Sequence, residues 1–378
     1  MTGTIPRRAL CVVVIGLLAW TPAAPVHGAA RGSGTQAPAT QHDLYVFPPG
    51  SIVVYDIDHG FRLVKRISLA VTSSGLRGAA AHAASHALYL SIGGDGGPSG
   101  PGSLLRYDLL TKRVVWVRHY PFGVDSLALT PNGAKIYLPT GEDSSGNQWA
   151  VIRPSDGALR GVIRADHGPH DTVVALNGRH VYLAGRGDRY LLQASTLTDR
   201  VIKRLGPLLH GIRPFTITGR ETFAFVTEEH LLGFQVCAIR TGRVLYTVPV
   251  PGFPVNPATP TPSHGIALSP DERHLWLIDR PNDYVHLFDV SRLPGVAPRR
   301  RADIRLRGQM KDQFAWLGMS RDGRFVFVGG AGDVIDTRTK KTLRILPALT
   351  HAKVYLEIDF RHGVPVFATP REAVGYRQ

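Results

Sequence analysis

Residues 165–185 place two histidines and a carboxylate around a Gly-Pro pair, ahead of an ordinary strand–turn–strand pattern. His167, His170 and Asp171 all lie in the first part of this segment, "ADHGPHD". Imidazole and carboxylate groups can transfer protons, hold anions through charge-assisted hydrogen bonds, or bind a metal ion. Which of these chemistries is available depends on the side chains that the fold brings beside them.

The elements around this segment belong to a repeat of short strands. Pairs of apolar strands flank tight turns in "DSLALTPNGAKIYLPTG", "DTVVALNGRHVYLAG", "HGIALSPDERHLWLID" and "LGMSRDGRFVFVGG". Asn-Gly and Asp-Gly pairs between alternating apolar runs predict β-hairpins. The copies recur every roughly 40 to 50 residues, which is the length of a four-stranded propeller blade. A single blade cannot bury both of its faces, so the copies must pack side by side.

Seven copies predict an all-β protein, a seven-bladed β-propeller with four-stranded antiparallel blades. Inner strands are expected to begin near residues 77, 125, 170, 211, 264, 315 and 355. The last copy, "VYLEIDFRHGVPVFAT", supplies only its first two strands, and the first strands of the chain, "SIVVYDI" and "FRLVKRISL", lack inner partners. We expect the N-terminal strands to join the C-terminal blade and so close the ring.

The copies resemble a known family. "LALTPNGAKIYL", "IALSPDERHLWLID", "YVHLFDVS" and "VIRPSDGALRGVI" look like the repeats of the YVTN-repeat (YncE-like) propellers, with "IYLPT" and "VYLAG" in place of the Tyr-Val-Thr-Asn string. This family is related to the quinoprotein amine dehydrogenase and lactonase-type propellers. The resemblance implies a secreted seven-bladed propeller; it implies no single activity, because members share a scaffold and not one chemistry.

Alignment of the copies on their inner turns predicts a polar ring. The aligned residues at the start of each inner strand are Arg77, Asp125, His170, Gly211, His264, Ala315 and Tyr355. Ring closure should gather them around one mouth of the central channel, where His167 and His351 lie close to the same level. The predicted ligand-binding residues at this mouth are Arg77, Asp125, His170, Asp171, His210, Arg213, His264 and Tyr355.

The lengths of the loops also indicate that a binding site lies on the face of the disc that carries the polar ring. Strand order puts the inner hairpin turns on one side of the disc and the ring on the other, with the long connections "GGDGGPSGPG", "TGEDSSGN" and the Pro-rich "VPGFPVNPATPTPS". Long loops on a rigid scaffold are common binding sites, and the Pro-rich loop could act as a stiff lid. The basic "RLPGVAPRRR" should project from the opposite side.

Four interpretations of the ring remain open at this level. The polar side chains can tie strand ends to neighbouring backbone. The interpretation that the sequence favours is a secreted binding protein whose ring holds a small polar or anionic ligand without catalysis. The ring can instead form a metal-dependent hydrolase or lyase, lactonase-like, with Asp125, His170 and His264 as the metal ligands. A further alternative is binding of single-stranded nucleic acid or another polyanion, which would need aromatic platforms such as the set Tyr120, Phe122, Phe215, Phe253 and Trp316.

Motifs for several other chemistries are absent from the sequence. It contains no Gly-x-Ser-x-Gly elbow, no phosphate-binding Gly-Lys-Ser/Thr loop, and no Cys-x-x-Cys-His site for covalent haem. Covalent serine catalysis and covalently attached haem are therefore not expected. A divalent metal is the one cofactor that the residues leave open, and whether the protein is an enzyme is undecided.

The ends and the composition place the protein outside the cytoplasm. Residues 1–29 combine Arg7 and Arg8 with an apolar run and a small-residue end, which predicts a signal peptide for a secreted or periplasmic protein. Residues 30–42 read as a flexible linker, and residues 43–378 as one propeller domain. No other stretch could cross a bilayer, and a closed ring without free sheet edges is expected to be monomeric.

Net charge and cysteine content add two further constraints. Loss of the signal peptide lowers the net charge from +15 to +13, which favours acidic ligands or surfaces. Cys237 is then the one remaining cysteine. It lies in an apolar run and is expected to be a small buried residue, so burial and not a disulfide must stabilise the fold.

Overall fold

The structure is a computed structural model that describes residues 40–69, 75–165, 167–256, 259–310 and 315–369. The predicted signal peptide, residues 1–29, and most of the predicted linker lie outside the described residues. The strands, in chain order, are β1 (Gln41–Val46), β2 (Ser51–Asp56), β3 (Arg62–Ser68), β4 (Leu76–His82), β5 (Ala87–Gly93), β6 (Gly102–Asp108), β7 (Arg113–His119), β8 (Ala128–Leu129), β9 (Ile136–Pro139), β10 (Gln148–Ile152), β11 (Leu159–Arg164), β12 (Pro169–Val174), β13 (His180–Gly185), β14 (Leu191–Ser195), β15 (Arg200–Leu205), β16 (Ile212–Ile217), β17 (Phe223–Glu228), β18 (Gly233–Ala238), β19 (Arg243–Pro249), β20 (Ile266–Leu268), β21 (His274–Asp279), β22 (Tyr284–Asp289), β23 (Arg299–Arg305), β24 (Leu317–Met319), β25 (Phe325–Val328), β26 (Asp333–Asp336), β27 (Lys341–Ile345), β28 (Tyr355–Arg361) and β29 (Val364–Ala368). Short 3-10 turns cover Ala83–Ser85, Gly97–Ser99 and Leu349–His351.

These strands form seven antiparallel sheets in a ring, which confirms the predicted seven-bladed propeller. Blades 1 to 6 are β4–β7, β8–β11, β12–β15, β16–β19, β20–β23 and β24–β27, and blade 7 combines β28 with β1–β3. Consecutive inner strands contact one another from β4 through β8, β12, β16 and β20 to β24, and β28 contacts β4. The Tyr355 hydroxyl of β28 donates to the backbone oxygens of Trp316 and Phe327 in blade 6, so the ring is closed.

Blade 7 is composite, as expected, but its strands are divided differently from the prediction. Three N-terminal strands, and not two, enter the blade, because β1 pairs with β28 from Gln41↔Phe360 to Val46↔Tyr355. Of the two C-terminal strands, β29 lies on the far side of β28 as a fifth strand. The strand "QHDLYV" was missed because it begins inside the segment read as linker, where no turn residue marks its start.

Seven apolar clusters fill the spaces between adjacent blades, one for each interface. The first three strands of a blade are largely buried, as in β5 and β9, whereas outer strands such as β3 and β7 alternate or face solvent. Each blade is therefore stabilised by both neighbours, as a repeat protein requires. Cys237 is fully buried in the cluster between blades 3 and 4, and burial raises its thiol pKa to about 12.

Tight turns connect the two innermost strands and put the other connections on the opposite face. Gly133, Gly178 and Gly323 occupy the left-handed position of these turns, with φ of 68°, 69° and 72°, which glycine adopts without steric cost. The longer connections leave the other ends of the strands. Among the described residues no helix is long and apolar enough to cross a membrane.

Candidate functional site

A cavity of about 540 Å³ lies where six of the seven blades meet. Because blades on all sides of the ring contribute, this cavity is at the mouth of the central channel. Its wall includes the long connections that the sequence indicated, through Ser99, Glu142 and Thr261. The full lining is Arg77, Asp95, Ser99, Glu142, His170, Arg186, Arg213, Pro260, Thr261, His264, Arg280 and Lys353.

Five of the eight residues predicted from the sequence lie in or directly behind this cavity. Arg77, His170, Arg213 and His264 line it. Asp125 is fully buried behind His170, with its Oδ2 atom 2.7 Å from His170 Nδ1. Inner strands that are far apart in the sequence therefore do bring these groups together.

The other three predicted residues lie outside the cavity lining. Asp171 accepts hydrogen bonds from the backbone N–H groups of Thr172 and Phe215, which ties two inner strands together. The exposed His210 ring packs edge-on against His230, with ring centroids 5.8 Å apart. Tyr355 is part of the core between blades 6 and 7.

Further charged side chains in and directly behind the cavity occupy positions outside the predicted set. Five of them stand within three residues of the end of the second strand of their blade: Asp95, Glu142, Arg186, Glu229 and Arg280. The same alignment of blades would have found this second ring, had it been extended to the second strand. Lys353 has no equivalent position in the other blades, because it follows the 3-10 turn that leads into β28.

His170 is held between two carboxylates. Its Nδ1 atom lies 2.7 Å from Asp125 Oδ2 and 2.8 Å from Glu142 Oε1, and the side chain is 1% exposed. Burial alone would lower the pKa of this histidine, but the adjacent carboxylates of Glu142 and Asp125 outweigh it and raise the pKa to about 9. His170 is therefore an imidazolium at neutral pH.

Asp125 is shared by two cations. Lys353 Nζ lies 2.7 Å from Asp125 Oδ1, on the other side of the carboxylate from His170, and 4.9 Å from the centroid of the Trp316 ring. Burial acts to raise the pKa of Asp125, but Lys353 and His170 hold it below its usual range. Lys353, Asp125 and His170 thus form a buried row of alternating charge.

Glu142 continues this row toward the arginines. Its Oε2 atom accepts from Arg186 at 2.7 Å, and Oε1 lies 3.4 Å from Arg213 Nη1. Both guanidinium groups also reach Glu229 Oε1, at 2.9 Å and 2.8 Å. Burial opposes ionisation of Glu142, but His170, Arg213 and Arg186 together hold its pKa well below the usual range.

His264 differs in charge from its neighbour. Its ring stacks on His170 with centroids 6.1 Å apart and meets Trp316 edge-on at 6.2 Å. Burial and the nearby cations Arg213 and His170 lower the pKa of His264 well below the ordinary value, so it is neutral. Its Nδ1 atom, and Nε2 of His170, are buried without a hydrogen-bond partner among the described residues.

Asp95 closes the cavity on the side of blade 1. Its Oδ2 atom accepts from Arg77 Nη1 at 2.6 Å. Burial and the negative charge of Asp125 raise its pKa to about 7, against the opposing effect of Arg77. Asp95 therefore gains its charge near neutral pH.

The candidate metal ligands are already paired with cations, and these ion pairs would have to break for a divalent metal ion to bind. Asp125, Glu142 and His170 bring possible ligand atoms within 4.8 Å of one another, but a metal-binding imidazole nitrogen must be deprotonated. Here His170 carries a proton shared with both carboxylates, and Lys353 already neutralises Asp125. A metal ion between them would also face Arg186 and Arg213 at short range. His264, the third predicted ligand, contacts His170 only through ring stacking.

The overall charge of the cavity wall is positive. Arg77, Arg186, Arg213, Arg280, Lys353 and the His170 imidazolium face the carboxylates of Asp95 and Glu142, with Asp125 and Glu229 directly behind. Arg213 is 4% exposed, and its Nε atom has no partner within the described part of the chain. Buried donors in a positive cavity can bind an anion through charge-assisted hydrogen bonds.

The sequence was also compared with known proteins. No protein-family model matches it, and no curated protein matches it. Solved structures do match: the Pseudomonas aeruginosa periplasmic gluconolactonase, PpgL, has a TM-score of 0.63 at 15% identity over 88% of this chain and 99% of that chain. A functionally unknown protein from Desulfotomaculum acetoxidans DSM 771 has a TM-score of 0.66 at 11% identity, over 83% and 98% of the chains.

A third similar structure is the Cps50 (Swd1) β-propeller domain of Myceliophteria thermophila, with a TM-score of 0.57 at 12% identity over 73% of this chain and 87% of that domain. At such low identities these structures show the fold alone. The resemblance to YVTN-repeat propellers stays a prediction. What the comparisons show is that the chain has the fold of the seven-bladed β-propellers.

Proposed function

We propose that the protein binds a small organic anion in the mouth of its central channel. The observation that carries this proposal is the surplus of cationic side chains lining the 540 Å³ cavity, with the buried atoms Arg213 Nε and His170 Nε2 unpaired among the described residues. A carboxylate or phosphate would give these donors the acceptor that they lack. Leaving buried polar groups unpaired costs more than a typical hydrogen bond gains.

The aromatic groups support a small ligand over a strand of nucleic acid. Single-stranded binding depends on exposed rings on which bases stack. Tyr120, Phe215 and Trp316 are buried, and Phe253 packs against the side chains of Tyr284 and His286. Phe122 is partly buried and stacks on Tyr120 with ring centroids 5.0 Å apart. The polyanion alternative would therefore need the buried rings to move.

We also propose that the protein works outside the cytoplasm as a YVTN-like propeller. The predicted signal peptide supports export, and the similar gluconolactonase is periplasmic. The same neighbour suggests a suitable probe, D-gluconate, because it combines one carboxylate with several hydroxyl groups.

Gluconate binding should depend on pH in two steps. Calorimetric titration is expected to give the highest affinity below pH 7, because Asp95, with a pKa of about 7, is then neutral. Affinity should fall about tenfold as Asp95 ionises. It should fall again above pH 9, when His170 loses its proton.

Two controls make this test specific. D-glucose, which lacks the carboxylate, should not bind at any of these pH values. Asp95→Asn should remove the first step and keep the second, because the amide does not ionise. A gluconate affinity that stays constant from pH 6 to pH 10 would contradict anion binding at this site.

A second candidate function, hydrolysis of a lactone, is favoured by the two stacked histidines. Their environments move their pKa values apart, upward for His170 and downward for His264, which is a common arrangement for acid–base catalysis. Neutral His264 could take a proton from a water molecule that attacks the lactone carbonyl. The Lys353 ammonium could stabilise the oxyanion, and His170 could protonate the departing ring oxygen.

If this second function is correct, the protein should open D-glucono-1,5-lactone faster than the uncatalysed reaction. His264→Gln should lower the rate by about 10²–10⁴-fold, whereas EDTA should have no effect, since no metal ion is involved. A pH-stat assay measures the acid released. A wild-type rate equal to the uncatalysed rate would exclude the hydrolase and leave the binding function standing.

A further inference from the structure

A second cavity lies on the opposite face of the ring, between blades 5 and 6. Its volume is about 750 Å³. Its wall includes the inner turns at Pro270 and Gly323, whereas the channel-mouth cavity is lined by the connections at the other strand ends. The two cavities share no lining residue. A ligand in this cavity would therefore not contact the residues of the proposed anion site.

Two of the other blade interfaces are closed at this level by a contact between a carboxylate and two donors. Between blades 2 and 3, the Tyr137 hydroxyl donates to Asp199 Oδ1 at 2.6 Å, and Lys135 Nζ lies 2.7 Å from Asp199 Oδ2. Between blades 3 and 4, the Tyr182 hydroxyl and His180 Nδ1 lie 2.6 Å and 2.7 Å from Glu221 Oε2. In both cases two donors on a second strand meet one carboxylate of the next blade.

The donors are present at the interface between blades 5 and 6, but the carboxylate is not. Trp276 occupies the place of Tyr137, because each pairs with an alanine of its inner strand, Ala267 and Ala128. His274 correspondingly occupies the place of Lys135. The residue at the position of Asp199 is Lys340, which has the same left-handed backbone in the turn before the fourth strand, with φ of 57° against 53°.

This replacement leaves a buried donor without an acceptor. Trp276 lines the cavity, is 2% exposed, and its Nε1 has no hydrogen-bond partner among the described residues. His274 and Lys340 line the same cavity. Three residues with N–H donors thus line this cavity, where the two interfaces described above have a carboxylate of the next blade.

The rest of the wall restricts what could fill this position. Asp271 and Asp322 line the cavity and use their Oδ1 atoms within the turns, accepting from Ser269 and Ser320. Their negative charges favour a cationic group in the cavity. Asp289 is neutralised by Arg301 at 2.6 Å. A ligand therefore needs a cationic group as well as a carboxylate.

We propose that this cavity binds a free α-amino acid with an apolar side chain. Its carboxylate takes the place of the missing Asp or Glu beside Trp276, His274 and Lys340. Its ammonium group lies toward Asp271 and Asp322, and its side chain packs on Leu287 and Met319, which also line the cavity. The volume is within the usual range for small-molecule sites.

NMR of protein labelled with ¹⁵N-tryptophan tests this proposal with L-leucine as the probe. The Trp276 indole signal, assigned by its absence in Trp276→Phe, should shift saturably on addition of L-leucine. L-leucinol, which keeps the ammonium and side chain but lacks the carboxylate, should cause no shift. Arg213→Gln, which changes the other cavity, should leave the response to L-leucine intact.

Lys340→Asp supplies the carboxylate from the chain itself. This variant should abolish the response to L-leucine and raise the melting temperature, because the indole N–H then has an acceptor, as Tyr137 has. The proposal is overturned if L-leucine causes no shift in the wild type, if L-leucinol shifts the signal equally, or if Lys340→Asp still responds.

Discussion

Asp125→Asn is expected to lower the free energy of unfolding by about 3–5 kcal/mol, the usual cost of removing one partner from a buried ion pair. Asp125 is fully buried and neutralises both Lys353 and His170. The amide would leave the Lys353 ammonium against the face of Trp316 with no counter-charge, and the imidazolium with only Glu142. Urea unfolding at pH 7, with unchanged m-values, measures the loss.

The double variant Asp125→Asn/Lys353→Met distinguishes a buried charge from a lost side chain. Removing both charges should restore much of the stability, because no unpaired ammonium remains buried. Asp156→Asn is the matched control, since it breaks a solvent-accessible pair with Arg153 and should cost much less stability than Asp125→Asn. Equal losses for Asp125→Asn and Asp156→Asn would contradict the role of the buried row.

The fold could be predicted because it repeats. Several copies carry an Asn-Gly or Asp-Gly turn between two apolar strands, so an error in one blade does not change the predicted number of blades. The one misassignment fell on blade 7, where the copy is split between the chain ends and "QHDLYV" has no repeat partner next to it. There the pairing of β1 with β28 depends on contacts separated by the whole chain, which no local pattern shows.

The candidate site was predictable in part, for a related reason. Strand register identified Arg77, Asp125, His170 and His264, since a repeat fixes where equivalent positions lie. Register could not decide which way each side chain points, so Asp171 and Tyr355 were grouped with residues that line the cavity. Lys353 could not be found in this way, because it comes from an irregular segment and reaches Asp125 across 228 positions of sequence.

The structure alters the expected chemical role of these residues more than their expected position. His170, taken as a metal ligand from its type, is an imidazolium because two carboxylates approach the same nitrogen. One of them, Glu142, follows the second strand of blade 2 in the loop "TGEDSSGN", and the alignment of the first strands alone did not reach it. The contact with Glu142 therefore supports anion binding, which the sequence already favoured, over the metal-binding alternative.

Arg213→Gln is expected to weaken D-gluconate binding by about 100-fold at pH 6, equivalent to about 2.7 kcal/mol, which is in the range for hydrogen bonds to charged groups. Arg213 is buried at the cavity wall and retains an unpaired Nε donor among the described residues, while Arg186 and His170 still hold Glu142 when it is removed. Isothermal titration of folded protein, checked by its melting temperature, measures the change.

In the same titration, Arg213→Lys tests the donor geometry of Arg213, and Arg113→Gln tests the effect of the net charge of the protein. Lysine keeps the charge but loses the planar pair of donors, so its affinity should fall between the wild type and Arg213→Gln. Arg113, exposed on the outer strand of blade 1, loses the same charge when changed to glutamine, and the screened effect on gluconate should be less than about twofold. If Arg113→Gln weakens binding as much as Arg213→Gln, then gluconate responds to the net charge of the whole protein, and the channel mouth is not its site.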